Sequence, residues 1–139
     1  MNGSPFPEPI RILSDLHLGH NACVLRDVGQ IRLLPEGAGT VIFNGDTAEI
    51  RAKSFRERAS EEQAKLSTLL TELGVEQVLY LTGNHDPKIS NVHWVALMQG
   101  KVIITHGDFL YRYISPWSKR LRHCRPLVDA ILAEADLVK

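Results

Sequence analysis

Four short apolar runs, each followed closely by a cluster of metal-ligating residue types, constrain this chain more than any other feature. The runs are Ile10–Leu13, Thr40–Phe43, Gln77–Leu81 and Lys101–Thr105. The clusters are Asp15-Leu16-His17, Asn44-Gly45-Asp46, Gly83-Asn84-His85-Asp86 and His106-Gly107-Asp108. Apolar stretches of this length, bounded by turn-forming polar residues, read as buried strands, and a weaker one spans Val92–Leu97. Chemistry placed at four successive strand ends is expected to converge on one point.

The segments between the runs read as helices. From Ser54 to Leu73, Phe55, Ala59, Ala64, Leu66, Leu69, Leu70 and Leu73 recur at roughly helical spacing, and Gly74 is a plausible stop. A second helix is expected from about Pro126 to Leu137, with Pro126 in its first turn, and a short one within Leu25 to Leu34. Strands alternating with helices predict an α/β layered domain with its ligands at the carboxyl ends of the strands. With 139 residues, 44% of them hydrophobic, one domain over residues 1–139 is expected. No repeat or Gly-, Ser- or Pro-rich linker divides it.

Lys plus Arg and Asp plus Glu number 16 each, so no overall field favours nucleic acid or an anionic membrane. Cys23 and Cys124 are too few for a disulfide framework and read as unpaired thiols in a reducing cytoplasm. Met1 to Pro9 holds no apolar core segment, so neither a signal peptide nor a membrane span is expected.

The clusters supply a coherent set of metal donors. Asp15 and His17 stand two apart and would project to the same side if the first strand extends through them. Gly45 permits a tight turn before Asp46, whose carboxylate could bridge two cations with its two oxygens. Asn84 adds a neutral oxygen and His106 an imidazole nitrogen. A mixed nitrogen and oxygen set without thiolate suits manganese, iron, nickel or zinc better than a structural cysteine site does. The chain has no Ser-His-Asp or Cys-His signature and no Gly-x-x-x-x-Gly-Lys-Ser/Thr phosphate loop, which argues against a serine hydrolase or a nucleotide-driven kinase.

The order Asp-x-His, Gly-Asp, Gly-Asn-His-Asp and His-Gly resembles the calcineurin-like metallophosphoesterase superfamily. The resemblance implies a layered metallophosphoesterase-like sandwich and a phosphoric ester hydrolase with two divalent metal ions, manganese favoured. It implies that Asp15 and His17 hold one metal, Asp46 bridges both, and Asn84 and His106 hold the second. His85 would act on the leaving side of the ester, with Asp86 orienting it. The substrate class implied is a small phosphate ester or pyrophosphate, attacked by a metal-activated water with no protein nucleophile.

The resemblance covers four of the family's five motifs, because no Gly-His-x-His follows His106. The chain is therefore expected to lack the C-terminal sheet, and water, His20, His93 or His123 would have to complete the metal spheres. A non-catalytic metal-binding or scaffold module of the same fold is the competing reading. Glu49 reads either as a residue orienting a ligand or as a solvated carboxylate at a helix start. His20 reads either as a contact to substrate or an outer-shell partner or, preferred, as a plain loop histidine, and His93 as a packed strand residue. Tyr111 to Arg125 is basic and aromatic, fit either to hold an anionic substrate or to be a solvated loop. A missing second sheet would also leave an apolar face uncovered, and self-association is expected from it.

Overall fold

The computed structural model describes residues 5–110 and 119–134. Three parallel strands form one sheet, in the order β1 (Ile10–Leu13), β2 (Thr40–Asn44), β3 (Gln77–Leu81). Strand β2 lies in the middle, so both its faces need cover, and Thr40 to Phe43 are all buried. Register aligns Ile12 with Ile42 and Ile42 with Leu79, which sorts the side chains into two faces.

The first face carries Val41, Phe43, Val78 and Tyr80, and helix α1 (Lys53–Glu72) packs over it through Ala59, Leu66, Leu69 and Leu70. The Phe43 and Tyr80 rings stack 5.0 Å apart. Helix α1 is the crossover that parallel β2 and β3 require. It ends at the expected glycine. Gly74 adopts φ +71, its amide donates to Thr71 O, and the Val75 amide donates to Leu70 O, a Schellman motif closing the last turn.

The second face carries Ile10, Ile42, Leu79 and Leu81. An antiparallel ribbon of β4 (Trp94–Leu97) and β5 (Val102–Thr105) covers it, burying Val95 and Ile104. The protein is thus a small mixed α/β fold: helix, parallel sheet, antiparallel ribbon. Alternation along the ribbon turns Trp94 and Ile103 outward, where they are 57% and 64% exposed.

The second long helix departs from expectation. Helix α2 spans Lys119–Glu134, so Pro126 sits in its interior rather than its first turn. The first seven residues, Lys119 to Arg125, are mostly basic and carry no apolar stripe, yet Lys, Arg and Leu are good helix formers. The short helix within Leu25–Leu34 is a 3-10 turn at Val28–Ile31, capped by Asp27. Leu137, and residues 111–118 of the basic aromatic segment, lie outside the described residues. No helix among the described residues is long and apolar enough to cross a membrane.

Candidate metal centre

Strand β1 ends at Leu13, and the chain does not continue as a strand through Asp15 and His17. Both residues are left-handed, with φ +56 and +48, and Asp46 joins them at φ +50. Each such conformation costs a non-glycine residue about 1–2 kcal/mol and persists only where its surroundings enforce it. Here a second ladder does so. The amides of Asp15, His17 and Leu18 donate to the carbonyls of Gly45, Asp46 and Thr47 at 3.2, 2.9 and 2.9 Å. The two clusters are therefore zipped together beyond the strands that precede them.

Two glycines permit the close approach of the other clusters. A Cβ on Gly45, itself at φ +78, would overlap the His106 ring, 2.6 Å from its Nδ1. A Cβ on Gly83 would overlap the Asp46 carboxylate, 2.9 Å from its Cγ. Any side chain at either place would push two donor-bearing clusters apart.

The expected donors come together at these turns. Asp46 Oδ2 lies 3.4 Å from His106 Nε2 and 3.9 Å from His17 Nε2, which is in turn 4.0 Å from Asp15 Oδ1. Asn84 Oδ1 lies 3.4 Å from His106 Nε2. Two groups have donor atoms all within 4.8 Å of one another, His17 with Asp46 and His85, and Asp15 with Asp46 and His106. Asp46 belongs to both. Its two oxygens are not equivalent: Oδ1 accepts the His85 amide at 2.8 Å, so Oδ2 alone faces both imidazoles. The sequence reading allowed a bridge through both oxygens; of the two, Oδ2 is the one within 4.0 Å of both imidazoles.

The hydrogen bonding of His106 bears on whether a cation fits. Its Nδ1 lies 3.0 Å from the Asn44 carbonyl, which can only accept, so Nδ1 carries the proton. In the neutral ring this turns the Nε2 lone pair toward Asp46 Oδ2 and Asn84 Oδ1. Three electron-rich atoms then meet with no proton between them. Two ligands about 2.1 Å from one ion lie roughly 3.0–3.4 Å apart, so a divalent cation suits this arrangement.

His85 is held differently from expectation. The carboxylate at its ring is Glu49, with Oε2 2.5 Å from His85 Nδ1 and 4.0 Å from His17 Nδ1. Glu49 is 3% exposed and stands ahead of α1, so it is not a solvated helix-start group. The His85 pKa is raised, chiefly by its hydrogen bond to Glu49, with burial and the Arg51 charge opposing. Asp86, expected to orient His85, instead turns inward. Its carboxylate accepts the amides of Asp46, Thr47, Ala48 and Gly83 at 3.0, 2.6, 3.3 and 2.9 Å. Burial pushes the Asp86 pKa up, and the amides of Thr47, Ala48 and Asp46 pull against it. Asp86 thus pins the Asp46 turn against the Asn84 turn. Glu49 was legible only as one of two options, because nothing local to Asp46 announces which ring a residue three positions later will meet.

A cleft of about 380 Å³ opens beside Asp15, His17, Glu49 and His85. A larger cavity of about 970 Å³ lies by Pro9, Ile10 and Met98, at the opposite end of β1, and contains none of these donors. His20 packs its ring on Phe55, 4.7 Å between centroids. His93 meets Thr82 Oγ1 at 2.7 Å, and His123 lies exposed on α2. None of the three belongs to either donor group. No family model matches the chain, and no curated protein or solved structure compared with it matches either.

Proposed function

We propose that this protein is a metal-dependent phosphoric ester hydrolase of metallophosphoesterase-like fold, acting on a small phosphate ester or pyrophosphate. The observation that carries the reading is the gathering of donor atoms around Asp46, which belongs both to the group of His17 and His85 and to the group of Asp15 and His106, with Asn84 Oδ1 3.4 Å from His106 Nε2. Asp15 and His17 would hold one divalent cation, Asn84 and His106 a second, and Asp46 both, with manganese the favoured metal. Two such cations supply an acidified water and a clamp on the phosphoryl oxygens.

The chain's own groups account for the rest. The strained turns at Asp15, His17 and Asp46 aim their donors before any substrate arrives, so little reorganisation is required. His85, whose pKa is raised chiefly by its hydrogen bond to Glu49, would give a proton to the departing oxygen of the ester. Free Cys23 and Cys124 fit a reducing compartment and support a cytoplasmic location.

The test is manganese-dependent hydrolysis of p-nitrophenyl phosphate and bis-p-nitrophenyl phosphate, with metal content measured on the same sample. The expected result is close to two metals per chain and turnover that falls by about 10²–10⁴-fold in His85→Ala. Bound metal with no turnover would favour the scaffold reading, and no bound metal would remove both.

A further inference from the structure

Against His85, on the side facing α1, lies a second, smaller cavity of about 150 Å³. It shares His20, Glu49 and His85 with the larger cleft and adds Arg51 and Asn84. Arg51 is fastened to the site at two points: its amide donates to the His85 carbonyl at 3.1 Å, and Nη1 donates to the Asn84 carbonyl at 3.2 Å. The guanidinium is thereby carried on the same turn that bears the candidate donors. Of the described residues lining this cavity, Glu49 is the one carboxylate, and its Oε2 is engaged with His85.

His20 contributes a donor as well. Its Nδ1 accepts the Ala22 amide at 3.0 Å, so in the neutral ring Nε2 carries the proton. Arg51 and, in that tautomer, His20 are thus donors on the lining of the cavity, with Glu49 as its carboxylate. At roughly 30 Å³ per water-sized atom, 150 Å³ admits about five non-hydrogen atoms, the size of one phosphoryl group.

Resting on the hydrolase reading above, we propose that Arg51, together with His20, grips an oxygen of the substrate's phosphoryl group and so makes the site select phosphate monoesters over diesters. A guanidinium presents paired donors that match phosphoryl oxygens, and a doubly charged group gains more from it than a singly charged one.

The experiment uses the manganese-loaded full chain, Arg51→Gln and Arg51→Lys. Metal per chain, the Kd of inorganic phosphate by calorimetry, and kcat/KM for p-nitrophenyl phosphate and its bis ester are measured for each. A lost charged hydrogen bond corresponds to about tenfold or more in affinity. Arg51→Gln is expected to retain its metal, weaken phosphate by about tenfold, and lower monoester turnover at least about threefold more than diester turnover. Arg51→Lys should recover part of each.

Unchanged phosphate affinity at full metal content would overturn the proposal while leaving a working hydrolase. Phosphate binding that depends on Arg51 without turnover would instead keep the pocket and overturn the hydrolase reading. Equal losses on both esters, in step with lost metal, would reduce Arg51 to a latch on Asn84 and overturn the proposal. Should Arg51→Gln fail to fold, His20→Gln decides: weakened phosphate binding supports the pocket, and unchanged binding overturns it.

Discussion

Glu49 holds the Nδ1 edge of the His85 ring at 2.5 Å from a position almost closed to solvent, so the proton on His85 is governed by a residue three places beyond Asp46. Asp86, adjacent to His85 in sequence, makes no such contact and serves the backbone instead. Neighbouring residues in the third cluster thus act on different layers of the site.

The first prediction concerns pH. The His85 pKa is raised above its ordinary value, about 6.5, mainly by Glu49. A proton donor works while protonated, so kcat should stay high to a pH above that value and fall as His85 loses its proton. Glu49→Gln removes the cause of the shift. We expect the alkaline limb of the kcat profile to move to lower pH in that variant at unchanged metal content. A limb that does not move would remove Glu49 from the control of His85.

Asp86 should matter for stability more than for chemistry. Asp86→Ala strips four backbone donors of their acceptor, and each buried unsatisfied donor costs about 1–3 kcal/mol, partly relieved by entering water. We expect a loss of about 3 kcal/mol in urea unfolding of the metal-free chain. A loss below about 1 kcal/mol would mean that the two turns are held together by other contacts.

The strands and α1 were legible because their signals are local. Apolar runs such as Val41-Ile42-Phe43 fix a buried strand, and the stripe through Ala59, Leu66 and Leu70 ends at a glycine able to adopt φ +71. The donors themselves were legible from their order along the chain. Their arrangement was not. The left-handed turns at Asp15 and His17 are imposed by carbonyls some 30 residues away, and Asp and His tolerate that conformation better than most residues without announcing it. The start of α2 was hidden for the opposite reason: Pro126 gives a strong first-turn signal, but the helix begins in a basic stretch without periodicity.

Gly45 gives a sharp test of the site's assembly. Gly45→Ala would set a methyl against the His106 ring and force a left-handed alanine. We expect the variant to fold and to lose about one metal per chain, because His106 and Asp46 can no longer approach within 3.4 Å. Full metal content by elemental analysis would count against His106 as a ligand.

The outward face of the β4–β5 ribbon bears on solution behaviour. Trp94 and Ile103 expose 57% and 64% of their surface on one face of two strands. Exposed apolar strand faces promote association. Light scattering should record a mass that grows with concentration, and Trp94→Gln with Ile103→Thr should suppress the growth. A constant monomer mass in the unmodified chain would mean that this face is tolerated by water.

Removing the metal should be felt as lost stability, and the reason lies in the donor geometry. Asp46 Oδ2 faces the imidazoles of His17 and His106, Asp15 is 4.0 Å from His17, and Asn84 Oδ1 lies 3.4 Å from His106 Nε2. Such a set of converging acceptors, held on three left-handed residues, is costly until a cation neutralises it. An ion that binds only the folded chain stabilises it by about 2.7 kcal/mol at a hundredfold excess over Kd. At roughly 2–4 °C per kcal/mol for chains near this size, manganese should raise Tm by about 5–10 °C. A chelator should reverse the shift, and Asp46→Asn should abolish it, since that residue belongs to both donor groups. Equal shifts in the unmodified chain and in Asp46→Asn would mean that manganese binds elsewhere, and the candidate centre would lose its support.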